Sequence, residues 1–236
     1  MAPDPGGPGV LLFGGVSAGG RLRGDTWRWD GTEWRELSGP GPGPRYSPAV
    51  AFDVRRGRIV LFGGCGRGSD DLWEWDGEAW HAMHPDGSKP PSRCRAAMAY
   101  DPTRKAVLLF GGYGDAGSLG DTWTWDGHRW EELEVAGPPA RNNHVMALDP
   151  LRERIVLYGG WASKTDALLG DTWEWDGDGW SKLEIPAPPA REMAGMVFDP
   201  ASSRFLLLGG RGEGGKTLGE LWSFDGRSWH RIEDGR

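Results

Sequence analysis

Gly 40 and Pro 18 in 236 residues approach the composition of a low-complexity chain, but 15 tryptophans exclude disorder. A net charge of -7, with both signs interspersed, favours solubility and leaves no nucleic-acid footprint. No apolar stretch approaches the ~20 residues of a membrane span, and two cysteines are too few for a disulfide framework.

An apolar run ends in a Gly-Gly pair five times, beginning at Gly14, Gly63, Gly111, Gly159 and Gly209, in steps of 49, 48, 48 and 50 residues. Such a period marks one supersecondary unit copied and stacked. The copies span about 1–40, 41–88, 89–137, 138–187 and 188–236. In the first, Met1 to Gly15 aligns without a gap on Met98 to Gly112, so the chain opens inside the first strand of the unit. Two readings stay open: a piece of a larger ring, or a five-unit ring with a weak first strand.

The third copy shows the whole unit. Strand A (Ala96–Tyr100) ends at Asp101-Pro102, and strand B (Ala106–Phe110) ends at Gly111-Gly112. Strand C (Trp123–Trp125) ends at Asp126-Gly127, and strand D opens at Trp130. Short strands separated by such turns predict an all-β sandwich, barrel or propeller, with no helix. Strand B is apolar on both faces and is expected to be buried. The five-residue step from the second strand C aromatic to the strand D tryptophan suggests a tight Asp-Gly hairpin. The strand C tryptophans Trp27, Trp73, Trp123, Trp173 and Trp222 recur in register, as do those opening strand D; 14 of the 15 tryptophans are periodic and are read as packing between units.

A four-stranded unit of about 50 residues, with Gly-Gly closing strand B and Trp opening strand D, resembles the kelch repeat. The resemblance covers nearly the whole chain. It implies a β-propeller of four-stranded antiparallel blades as one domain over 1–236, with five kelch-like repeats and the first blade lacking most of its innermost strand. It also implies a protein- or ligand-binding scaffold with no cofactor, whose partner is a protein or peptide, or a carbohydrate. A carbohydrate-modifying enzyme, such as a galactose-oxidase-type propeller, is the alternative. With five His and four Tyr, no catalytic constellation can be placed. As it stands the chain reads as cytoplasmic; an upstream start could make it secreted. The seam between copies one and five is expected to invite self-association.

Alternating strand direction puts the B–C and D–A loops on one face, and these are the loops that vary. Binding residues tend to sit on such loops. The candidates are Tyr113, Trp161 (the one tryptophan out of register) and Arg211 after Gly-Gly, with Tyr46, Arg95, Asn142, Asn143 and Glu192 in the D–A loops. Arg45, Arg93, Arg141 and Arg191 recur in every complete copy. They either ring a channel mouth and bind an anion, or tie loop carbonyls together. His144 is read as a packed strand residue. Cys65 and Cys94 are free thiols, a disulfide or, with His84, a weak metal candidate.

Overall fold

The computed structural model describes residues 1–232 apart from Pro8, Arg67 and Ser69; residues 233–236 of the fifth repeat lie outside the described residues. Five four-stranded antiparallel sheets follow one another as the blades of a propeller. Blade one is β1 (Ala2–Pro3), β2 (Val10–Val16), β3 (Leu22–Trp29) and β4 (Trp34–Leu37). Before blade two, β5 (Arg45–Tyr46) pairs with β8 (Cys65–Gly66) as a separate ribbon. The blade itself is β6 (Ala49–Asp53), β7 (Arg58–Phe62), β9 (Leu72–Trp75) and β10 (Trp80–Met83). Blade three comprises β11 (Ala97–Asp101), β12 (Ala106–Gly114), β13 (Gly117–Trp125) and β14 (Trp130–Leu133). Blade four comprises β15 (Val145–Asp149), β16 (Arg154–Ala162), β17 (Ala167–Trp175) and β18 (Trp180–Leu183). Blade five comprises β19 (Gly195–Asp199), β20 (Arg204–Leu208), β21 (Leu221–Phe224) and β22 (Trp229–Ile232). The innermost strand of blade one has two residues where the others have five. The sole helical element among the described residues is a 3-10 turn at Glu213–Gly215.

The second strand of each inner blade is fully buried, as its two-sided apolar pattern requires: Val107 to Phe110 have no exposed surface. In blades one, three and four the glycine pair forms a bulge, with register shifts at Phe13/Gly15, Phe110/Gly112 and Tyr158/Gly160. Gly111 sits at φ 62°, and a Cβ there would lie 2.7 Å from the Arg141 carbonyl of the next blade. Left-handed backbone and close approach together require glycine. The third turn is longer than the tight hairpin the spacing suggested. Trp125 pairs with Trp130 across four residues, and Asp126 Oδ1 accepts hydrogen bonds from the amides of His128 and Arg129.

Four apolar clusters join the five blades. Phe62 of blade two packs edge-on to Trp130 of blade three, at 5.2 Å between ring centres. Phe110 repeats this with Trp180 at 5.3 Å, and Phe13 with Trp80 at 5.5 Å. Tyr158 meets Trp229 with the rings tilted, at 5.2 Å between centres. The strand D indoles also donate across the interface: Trp80 to Thr26 (3.0 Å), Trp180 to Thr122 (3.1 Å) and Trp229 to Thr172 (3.0 Å). Among the described residues no such cluster joins blade five to blade one.

His144 of blade four is buried against Phe110, ring centres 5.5 Å apart. Burial, helped by the charge of Arg141, pushes its pKa down to about 3. The unfolded chain takes up this proton near pH 6.5. Between that value and about 3 the unfolded state therefore binds more protons at this site, so stability falls as pH drops through the window. His144→Ala is expected to flatten the decline in urea midpoint between pH 7 and pH 5, where the carboxylates have barely begun to protonate. An unchanged slope would refute this.

Candidate functional site

Three repeated motifs meet at one node in each of blades two, three and four. Arg93, 1% exposed, donates from Nε to the Pro91 carbonyl (3.1 Å) and from Nη1 to the Gly111 carbonyl (2.9 Å). It also forks onto Asp121, with Nη1–Oδ1 2.8 Å and Nη2–Oδ2 2.6 Å. Asp121 Oδ2 in turn accepts the Trp123 indole at 2.7 Å. Arg141 does the same with Pro139, Gly159 and Asp171, whose Oδ2 takes Trp173. In blade two Arg45 forks onto Asp71, which also holds Trp73. Burial pushes the Asp121 and Asp171 carboxyls up, but the hydrogen bonds and charge of Arg93 and Arg141 outweigh it and hold both below the usual range.

These arginines therefore do not ring the channel mouth as an anion site. Arg45, Arg93 and Arg141 lie inside their own blades with their donors on internal acceptors, as the alternative of tied loop carbonyls had it. Arg191 keeps its backbone contacts, to Pro189 and Gly209, but meets Glu220 at 3.5 Å without a hydrogen bond. With glutamate in place of aspartate, the Trp222 indole also loses its partner. The sequence signal for these nodes was the acidic residue two positions before each strand C tryptophan.

The variable loops lie together. Backbone bridges pair Tyr46 with Cys65, Cys94 with Tyr113, Asn142 with Trp161, and Glu192 with Arg211. Ser47, Arg95, Asn143 and Met193 occupy equivalent positions in the D–A loops, all with positive φ (47°, 58°, 54° and 57°). A backbone ladder links them from blade to blade: Arg95 N to Ser47 O (3.0 Å), Asn143 N to Arg95 O (2.9 Å) and Met193 N to Asn143 O (2.9 Å). These residues line a depression of about 210 Å³, floored by His144, Ala96 and Ala194. Arg95 differs from the buried arginines. Its Nε has no hydrogen-bond partner, and no carboxylate lies in ion-pair range among the described residues.

Tyr113 is 43% exposed and Arg211 is exposed, while Trp161 is half-buried. Ser118, paired with Tyr113, ties its hairpin to the neighbouring one by accepting from the Ser163 amide (3.0 Å) and donating to the Trp161 carbonyl (3.3 Å). Asn142 is corrected: it is fully buried and donates to Ser118 (2.8 Å) and the Trp161 carbonyl (3.2 Å), so it fastens loops and offers no surface. Asn143 donates to Glu192 Oε2 at 2.7 Å, linking blades four and five at the rim.

Cys65 and Cys94 form a disulfide that ties blade two's B–C loop to the loop entering blade three. Both sulfurs are thereby occupied, which removes the weak metal set with His84. That histidine lies instead beside Asp70, Met83 and Lys89. Among the described residues no group of three or more His, Cys, Asp and Glu is placed to hold a metal ion.

Five blades of Gly-Gly and Trp-bearing strands, three of them pinned by an Arg to Asp-x-Trp node, define a kelch-type propeller. A family model described as the KLHDC2/KLHL20/DRC7 Kelch-repeats domain matches residues 7–186. The chain belongs to the kelch-repeat family, whose propellers commonly serve as protein-interaction scaffolds. No curated protein matches it. No helix among the described residues is long and apolar enough to cross a membrane.

Proposed function

We propose that this propeller binds a protein or peptide on the face built by its B–C and D–A loops, and that the bound segment is acidic or rich in acceptors. The observation that carries this reading is Arg95, a cation without a carboxylate partner among the described residues and lining the depression, on a scaffold whose repeated Arg45, Arg93 and Arg141 are neutralised internally. A guanidinium with unused donors matches a carboxylate in a fork geometry. Tyr113 and Arg211 stand exposed on the same face, and aromatic and Arg side chains are favoured binding anchors. Tyr46, Asn143, Trp161 and Glu192 complete the surface. The ladder through Ser47, Arg95, Asn143 and Met193 fixes the backbone that presents it.

Exposed Tyr113 beside Trp161 also suits stacking on a sugar ring, the second reading. Selection of a displayed peptide library and a glycan array, run on the same immobilised protein, separate the two. Enrichment of acidic peptides, lost on Arg95→Ala and on Tyr113→Ala, is the expected result. Glycan binding lost on Trp161→Ala, with no peptide enriched, would replace the first reading with the second.

A further inference from the structure

The interface between blades two and three departs from the plan that the other three share. In those three the strand D indole donates to a threonine of the preceding blade, namely Trp80 to Thr26, Trp180 to Thr122 and Trp229 to Thr172. Blade two has Leu72 at that position. It pairs with Met83 as Thr26, Thr122 and Thr172 pair with Leu37, Leu133 and Leu183. Trp130 nevertheless keeps the common placement. It lies 5.2 Å from Phe62 and 5.5 Å from Trp125, where Trp180 lies 5.3 Å from Phe110 and 5.4 Å from Trp175. Its N–H is therefore aimed at Leu72, which offers no acceptor. Trp130 is 4% exposed, and among the described residues its indole has no hydrogen-bond partner.

The segments over this interface differ too. From the strand D tryptophan to the repeated arginine the step is 11 residues in Trp34 to Arg45, Trp130 to Arg141 and Trp180 to Arg191, but 13 in Trp80 to Arg93. The facing B–C loop is the shortest of the five, with a step of 7 from Gly64 to Asp71 against 9 to 11 in the other copies. Elsewhere the linker presses on the ring: a Cβ on Gly41 would lie 3.0 Å from Trp80, and one on Gly137 2.8 Å from Trp180. Gly87 holds the same place in the longer linker, and a Cβ there would meet nothing within 4 Å among the described residues.

The longer linker thus stands off and leaves a cavity of about 310 Å³, walled by Phe62, Leu72, Met83 and Trp130. Ligand pockets span roughly 300–1,000 Å³, so this one suits a small molecule. The carboxylates of its rim are each paired, Asp70 with Lys89 at 2.7 Å and Asp71 with Arg45, so neither is left to match an ion. Both walls belong to the stretch closed by the Cys65–Cys94 disulfide, which limits the freedom of each before anything binds.

We infer that this cavity binds a small neutral molecule, an apolar body carrying one carbonyl-type oxygen that accepts from Trp130 Nε1. The walls take up the apolar body. The oxygen supplies the acceptor that threonine supplies at the other interfaces, and a buried donor left without one costs free energy. The depression at Arg95 shares no lining residue with this cavity, so the inference stands apart from the proposed peptide site.

Indole N–H resonances of the whole ¹⁵N-labelled chain test it, with acetophenone as the probe. Trp130→Phe keeps an aromatic ring and removes one cross-peak, which identifies the Trp130 signal. In the wild type that signal should move and saturate, with a Kd of about 1 mM for so small a probe. Benzoate and benzylammonium, alike in size but charged, should bind about tenfold more weakly or worse. Leu72→Thr restores the hydroxyl of the other three interfaces and should weaken acetophenone about fivefold or more. The dispersion of the remaining indole signals shows that each variant is folded. A Trp130 signal unmoved at 20 mM acetophenone, tighter binding of either charged probe, or undiminished binding by Leu72→Thr would each overturn the inference.

Discussion

Arg141→Ala is expected to destabilise the protein by about 3–5 kcal/mol, the range seen when one partner of a buried ion pair is removed. The guanidinium has no exposed surface and serves Asp171 and the carbonyls of Pro139 and Gly159 together. Its loss leaves a half-buried carboxylate and two carbonyls without that donor. Asp171 is held below the usual carboxylate range, so its contribution is fully present above the unfolded value and is lost as pH falls through the folded one. The deficit of Arg141→Ala should therefore be largest near neutral pH and shrink below about pH 4. Arg191→Ala is the internal control. Its partner Glu220 stands at 3.5 Å without a hydrogen bond, and a smaller loss is expected. Urea unfolding of both variants at pH 7 and pH 3.5 checks the order and the pH trend. Equal losses would contradict the node as described.

Trp180→Ala carries the second large effect, about 3–5 kcal/mol, as for other buried aromatic truncations. The ring fills the space between blades three and four, 5.3 Å from Phe110 and 5.4 Å from Trp175, and its indole donates to Thr122. Trp34 occupies the same place in its own repeat but is 42% exposed, against 8% for Trp180. Trp34→Ala should cost less than about 1 kcal/mol. Two tryptophans that the sequence makes equivalent are thus expected to differ several-fold, and equal losses would mean that the interface at blade one is already closed within one chain.

That contrast shows how far local sequence reaches. Burial of strand B and packing of the strand D tryptophans follow from periodicity, because each copy meets a neighbour built to the same pattern. Periodicity alone could not settle what the repeated arginines do. A recurrent Arg serves equally as a ring of surface cations or as a row of internal clasps, and the decision lies with Asp71, Asp121 and Asp171, which the chain brings back from 26, 28 and 30 residues away. The loop face was harder. Asn142 reads as a surface polar residue until Ser118 and Trp161 of two adjoining hairpins close over it. Arg95 and Asn143 adopt left-handed backbone with no glycine to announce it, under the constraint of a ladder that runs between blades. The third turn went from a tight hairpin to four residues because Asp126 caps two amides with its side chain.

The loop face as the binding surface is tested most directly by calorimetric titration of an acidic peptide selected on the wild-type protein. Arg95→Ala should weaken binding about tenfold or more, since a charge-assisted hydrogen bond contributes about 1.5–3 kcal/mol. Arg227→Ala, in a turn on the opposite face, should leave it unchanged. Binding that survives Arg95→Ala intact, or falls equally in both variants, would contradict the assignment.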